Sequence, residues 1–131
     1  MAVASIAFGV SWGNIGGMAL LVLLFAAVSV SAAELLGSLA RTRDQALAIA
    51  APGALLLAML GGCIWPLSIV GPTLRGVSRG VPHTWAMEAA QKLQYGLPLR
   101  SDLLPMTVLA AFAVALTSAA HVRLARQMGS A

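Results

Sequence analysis

GGCIWPLSIVGPTLRGVSRGVPHTWAMEAA, residues 61 to 90, decides the fold of this chain. It interrupts a hydrophobic run with Pro66 and Pro72, turns polar, and then opens a new segment at Pro82. Each proline lacks an amide donor and, inside a helix, clashes with the preceding turn, so no continuous helix is expected from 61 to 82. Gly61 and Gly62 loosen the end of the run before it. Hydrocarbon cannot hydrogen-bond exposed peptide groups, so a broken helix at membrane depth survives only where protein covers it or a water-filled cavity receives it. That makes the stretch the first candidate for a functional region.

Composition identifies the solvent. The 131 residues are 60% hydrophobic and 9% charged, where a soluble domain carries about 25% charged residues. Four acids and eight bases are too few to cover a soluble surface of this size. Lipid must cover most of it.

Charges are absent from Met1 to Ala33, from Gln45 to Leu74 and from Leu103 to Val122. A helix needs about 20 apolar residues to cross a hydrocarbon core of roughly 30 Å, which predicts spans at 18–36, 46–64 and 103–121. In the first, the side chains from Leu20 to Phe25 with Val28 and Val30 contribute roughly −2.5 to −5 kcal/mol, while one central charge costs about +2.5 to +3.5 kcal/mol. Glu34 is therefore expected near the headgroups, beside Arg41 and Arg43. A proton or substrate relay is its other reading.

Residues 1–17 are too short to cross. The run MAVASIAFGV lacks the basic start of a secretory signal, and SWGNIGG adds turn residues and an interfacial Trp12. The segment reads as the tail of a preceding span plus a loop, or as an interfacial helix. Between the first two predicted spans, Thr42 and Gln45 have the spacing of a capping box, which starts the next helix near Arg43. Pro52 falls about two turns into that helix and predicts a kink.

Ala50, Ala54, Ala58 and Gly62 in one span, and Ala111, Ala115 and Ala119 in another, recur at four-residue spacing. Small faces let membrane helices approach closely, so both rows are candidates for helix packing; an alanine-rich chain also produces such spacing by chance. After Pro82, Trp85, Ala86, Ala89, Ala90 and Leu93 fall on one side of a short helix, and Glu88, Gln91 and Lys92 on another. Glu88 and Lys92 form a helix-supporting pair. Such a helix suits the membrane boundary, with Trp65, Trp85 and Tyr95 at headgroup depth; it equally suits a plain connector between spans. His83 reads as an interfacial or capping side chain, with substrate or proton contact the competing role.

These residues resemble the membrane subunit of type-2 ABC exporters. The likeness runs through GGCIWPLSIVGP, VPHTWAMEAA and DLLPMTVLAAFAVAL, with FGVSWG and LGSLARTRDQA matching the family's corresponding loops. One departure is Gly71 where many members place the second proline, with Pro72 following. The resemblance implies a subunit of six crossings, of which this chain corresponds to the C-terminal half. By that analogy Met1 to Val10 ends the third crossing, the three spans are the fourth to sixth, and 65–97 is a re-entrant and amphipathic region. Pro66, Pro72, Pro82 and Glu88 would shape that region without being catalytic.

The expected fold class is accordingly all-α: an integral membrane helical bundle with three full transmembrane helices and a broken re-entrant or interfacial helical pair before the last span. The region expected to gate comprises Gly61, Gly62, Trp65, Pro66, Pro72, Pro82, His83, Trp85 and Glu88. The resemblance further implies ATP hydrolysed by a partner subunit, a cytoplasmic ABC ATPase, and either a second permease copy or the missing N-terminal half. No cofactor is expected on this chain.

Charge does not orient it. Arg41, Arg43, Arg123 and Arg126 lie in the segments expected to be cytoplasmic, against Arg75, Arg79, Lys92 and Arg100 in the expected outer segment. The family topology places the C-terminus in the cytoplasm of a plasma or inner membrane. The bases form no dense stripe, which argues for lipid headgroups and against nucleic acid as their partner.

Chemistry for an enzyme is thin. Lys92, the only lysine, is followed by Leu93, so no phosphate-binding loop is present. Cys63, His83 and His121 lack metal-ligand spacing, and one cysteine excludes an internal disulfide. What the resemblance implies is therefore the permease of an ATP-driven exporter for a drug, lipid or polysaccharide. A self-associating scaffold or holin-like pore is the alternative.

Overall fold

A computed structural model describes residues 13–128; the expectations for Met1 to Val10 and Trp12 fall outside them. The described chain is helical, with three helices long and apolar enough to cross a membrane.

The first helix, α1, covers Ile15–Leu39. Asn14 starts it by accepting a hydrogen bond from the Gly17 amide at 2.9 Å, satisfying one of the orphan donors of the first turn. The second, α2, covers Arg43–Leu60 and begins as the Thr42 spacing predicts. The Thr42 hydroxyl accepts from the Gln45 backbone amide at 3.2 Å, and the Gln45 side-chain Oε1 accepts from the Arg41 backbone amide at 2.9 Å. Pro52 lies inside α2, which continues through it.

The sequence expectation ran this span to Ile64, but the helix stops at Leu60. Gly61 caps it, and Gly62 adopts φ 81°, a left-handed conformation that a side chain would resist. Each proline beyond sits at the start of an element. Pro66 precedes a 3-10 turn at Leu67–Ile69, Pro72 opens α3 (Pro72–Ser78), and Pro82 opens α4 (Pro82–Gln94). At the first helical position a missing amide costs nothing. A second 3-10 turn, Leu99–Asp102, leads into α5 (Leu103–Met128).

The most extensive contact joins α1 to α5, which run parallel; α4 packs against both. Met18, Leu21 and Val28 of α1, Ala89 and Leu93 of α4, and Met106 and Leu109 of α5 form the buried core. Between the two long helices the hydroxyls of Ser31 and Thr117 lie 2.7 Å apart. Near their C-terminal ends the Arg123 guanidinium donates to the Ser38 carbonyl at 3.3 Å. None of the α2 residues is buried.

Candidate functional site

The direction of α4 defines the site. At its C-terminal end the Leu93 carbonyl accepts from the Asn14 amide at 3.2 Å, next to the start of α1. At its N-terminal end the His83 ring meets Phe25 edge-on, with centroids 4.9 Å apart. Asn14 and Phe25 are separated by about 16 Å of helix rise. The broken segment therefore reaches well down the side of α1, and α4 returns along it to the level where α1 begins.

Side chains satisfy several carbonyls of the irregular backbone. Arg75 donates to three carbonyls of the break: Leu67 at 3.2 Å, Ser68 at 3.1 Å and Val70 at 3.4 Å. The Thr84 hydroxyl donates to the carbonyl of the fully buried Ser78 at 2.6 Å, and the Trp85 indole to the Arg79 carbonyl at 2.8 Å. Trp85 also lies under the Arg79 guanidinium, 5.9 Å from ring centroid to charge centre. At these carbonyls side chains stand in for the helical ladder that the prolines interrupt.

Two cavities flank α4. One, of about 270 Å³, faces α3 and the break and is bordered by Gly62, Ser68, Arg75, Arg79, Glu88 and Gln91. The other, of about 360 Å³, faces α1 and is almost wholly apolar, bordered by Leu21, Phe25, Cys63, His83, Ala86 and Ala90. Met87 lines both. Burial holds the His83 imidazole below its usual range. Its Nδ1 is covered and has no hydrogen-bond partner among the described residues.

The structure gathers some of the residues singled out in the sequence. Gly61, Gly62 and Pro66 join Glu88 around the polar cavity, and Glu88 bonds Lys92 at 2.7 Å. Trp65 is half-buried, Pro72 is exposed at the start of α3, and Pro82 is half-buried at the start of α4. The small-residue rows are placed differently. Ala111, Ala115 and Ala119 lie on the exposed side of α5, which meets α1 through Met106, Leu109 and Ala120 and through Thr117. In the other row Ala54 is exposed while Ala50 and Ala58 are half-buried. His121 bonds the Thr117 carbonyl within its own helix, remote from Cys63 and His83.

Sequence reasoning weighed Arg75 and Arg79 only as charges for orientation. The missed signal is local: an arginine a few residues beyond two prolines is well placed to serve the carbonyls that those prolines leave without helical partners.

Residues 1–95 match the membrane-domain family described as ABC-2 type transporter. The chain is similar to the linearmycin resistance permease protein LnrN of Bacillus subtilis (strain 168), with 29% identity over 120 residues. That alignment takes in 91% of this chain and 31% of the relative, so the chain spans about a third of that protein's length. No solved structure matches the chain.

Proposed function

The chain belongs to the ABC-2 type transporter family, and from this we propose that it forms part of the pathway of an ATP-driven exporter in the plasma or inner membrane. It is a multi-pass membrane protein and a transport subunit. A separate cytoplasmic ATPase would supply the energy, its closure driving a substrate outward. Further permease helices, from a second copy or from an N-terminal half, would cover the exposed apolar sides of α2 and α5. The resistance named for the relative favours a toxic small molecule over a polysaccharide as cargo.

The observation that carries this reading is the broken segment seated beside α1, with His83 on Phe25 and its freed carbonyls held by Arg75. Such a segment tolerates the depth of a bilayer and remains a two-piece element that a pump can shift. A self-associating scaffold has no use for it. Arg41, Arg43, Arg123 and Arg126 sit at one end of the bundle and Lys92 and Arg100 toward the other, with Arg75 and Arg79 in the broken segment between. We assign the first group, with the C-terminus, to the cytoplasm.

Thiol labelling tests the orientation. In a Cys63→Ser background, Ser130→Cys should resist an impermeant reagent in intact cells and react after permeabilisation. Labelling from outside would invert the topology and remove the ATPase from the face assigned to it. Export is tested by Pro82→Leu and Glu88→Ala in the assembled permease, which should impair efflux while insertion stays normal. Normal efflux by both variants would take the broken segment out of the transport cycle.

A further inference from the structure

We propose that the groove between the C-terminal ends of α1 and α5 binds an anionic phospholipid, its phosphate against Arg123 and Arg126 and an acyl chain against Leu35, Leu39, Ala119 and Val122. These residues line a single cavity of about 470 Å³. The two helices run parallel and end on the same side of the bundle, so the order of the lining residues gives their depth. Arg126 lies two residues before the end of α5. Ala119 lies about 10 Å of helix rise further in, and Leu35 is one turn inside Leu39. The charged end of the groove thus faces the headgroups and the apolar end the hydrocarbon, which is the order of a phospholipid.

Charge selects the polar end. Among the described residues no acidic side chain lines the groove. Arg123 donates through Nε to the Ser38 carbonyl at 3.3 Å, which pins its guanidinium over the end of α1 and leaves its terminal nitrogens for another acceptor. Arg126 has no ion pair or hydrogen bond among the described residues. Three positions apart, the two side chains are neighbours on the helix surface, and each guanidinium can hold two phosphate oxygens at once. A packing helix would have to bring its own anion to this point, whereas the bilayer supplies one at that depth. Basic pockets between membrane helices capture lipid headgroups on this principle.

The apolar end is a slot that a small side chain leaves open. Ala119 belongs to the alanine row that does not meet α1, and beside it Leu39 and Val122 are exposed. Leucine against an acyl chain gains little over leucine in bulk lipid. The headgroup therefore supplies the selectivity, and the slot fixes where the chain lies. A lipid held there would tie α1 to α5 beside the bond from Arg123 to Ser38. Occupancy requires the chain to lie in a bilayer but not to export anything. Failure of the lipid site therefore leaves the permease reading intact, and failure of efflux leaves the lipid site testable.

The test is native mass spectrometry of the full chain, released from vesicles of phosphatidylglycerol and phosphatidylcholine in equal amounts. The parent chain should retain one phosphatidylglycerol through detergent washing that strips phosphatidylcholine. Arg126→Gln should lower that retention several-fold, and Ala119→Leu, which fills the slot, should do so with both arginines in place. Arg41→Gln removes a charge at the same end of the bundle but outside the groove, and should retain the lipid as the parent does. If Arg126→Gln fails to insert, the contrast between Ala119→Leu and Arg41→Gln still decides the matter. Equal retention of the two lipids by the parent would overturn the site, as would an equal loss in Arg41→Gln, which would make the attraction a property of the whole face. Displacement by glycerol 3-phosphate at constant ionic strength would also overturn it, since the ligand would then be a free anion. Unchanged lipid retention with weakened self-association in Arg126→Gln would give the groove to a second copy of the chain instead.

Discussion

Gly61 lies so close to His83 that a methyl group added to the glycine would overlap the histidine Cβ. The end of α2 is thus seated on the first turn of α4 by shape. His83 in turn rests edge-on against Phe25, so three elements meet at one point. A join of this kind resists small changes in volume and can separate as a unit.

Gly61→Ala should therefore force α2 and α4 apart. Overpacking of a close contact costs about 1–3 kcal/mol, and the expected result is a lower melting temperature in detergent with unchanged helix content. Gly53→Ala, within the same helix but with open space around its Cα, should instead be neutral or stabilising by up to about 1 kcal/mol. Equal behaviour of the two variants would show that the seat is not tight.

His83 gives the join a pH dependence whose sign is fixed. Burial lowers its pKa in the fold, so the less ordered chain takes up a proton first as the pH falls. The neutral form is retained above the ordinary histidine range, and stability is lost on acidification from that range down through the lowered value. A melt series from neutral to mildly acid pH should show this loss, and His83→Phe should remove most of it while keeping the aromatic contact with Phe25.

The same residues show what a sequence can and cannot reveal. The breaks at Gly61, Pro66, Pro72 and Pro82 are local backbone chemistry, and all four became element boundaries. The pairing of Glu88 with Lys92 follows from helical spacing alone. Which face of α5 meets α1 is a tertiary choice: the alanine row was the obvious candidate, yet Met106 and Leu109 are the buried residues. Small residues permit close approach without requiring it, and Ser31 with Thr117 adds a polar contact that spacing cannot foresee.

Arg75 holds the break together through three carbonyls. Arg75→Gln should shorten the amide-exchange protection of α3 and the turn before it, leaving α1 and α5 as protected as before. Arg75→Lys supplies a single point of charge in place of a fork and should recover only part of it. Uniform exchange in all three proteins would mean that the carbonyls find water equally well.

Asp102 is fully buried just before α5, with neither carboxyl oxygen hydrogen-bonded among the described residues. Lys92 and Glu88 of α4 are its charged neighbours. Covering an ionised carboxylate without such bonds costs several kcal/mol, roughly, more than the ~0.3–1 kcal/mol that a negative charge gains at a helix start. Asp102→Asn, which removes the charge, should accordingly raise the melting temperature at neutral pH. A lower melting temperature for Asp102→Asn would mean that its charge is paired in the membrane-embedded protein.

The contact between Ser31 and Thr117 bears on how the bundle holds in lipid, where burial of leucine against leucine gains little over leucine against acyl chains. Dispersion and interhelical hydrogen bonds must then supply the association of α1 with α5. One such bond is worth about 0.6 kcal/mol on average, because the separated helices find other partners; the Ser31 hydroxyl has one at hand, the Ala27 carbonyl at 2.8 Å. Ser31→Ala and Thr117→Val should each destabilise slightly, and the double variant should fall short of their sum by that coupling. A coupling of zero in steric-trap or denaturant measurements in bicelles would leave the α1–α5 association to the packing of Met18, Leu21, Met106 and Leu109 and to the Arg123 bond to the Ser38 carbonyl. In that case Leu109→Ala, which opens a cavity at a fully buried position, should destabilise more than either hydroxyl variant, through lost packing alone.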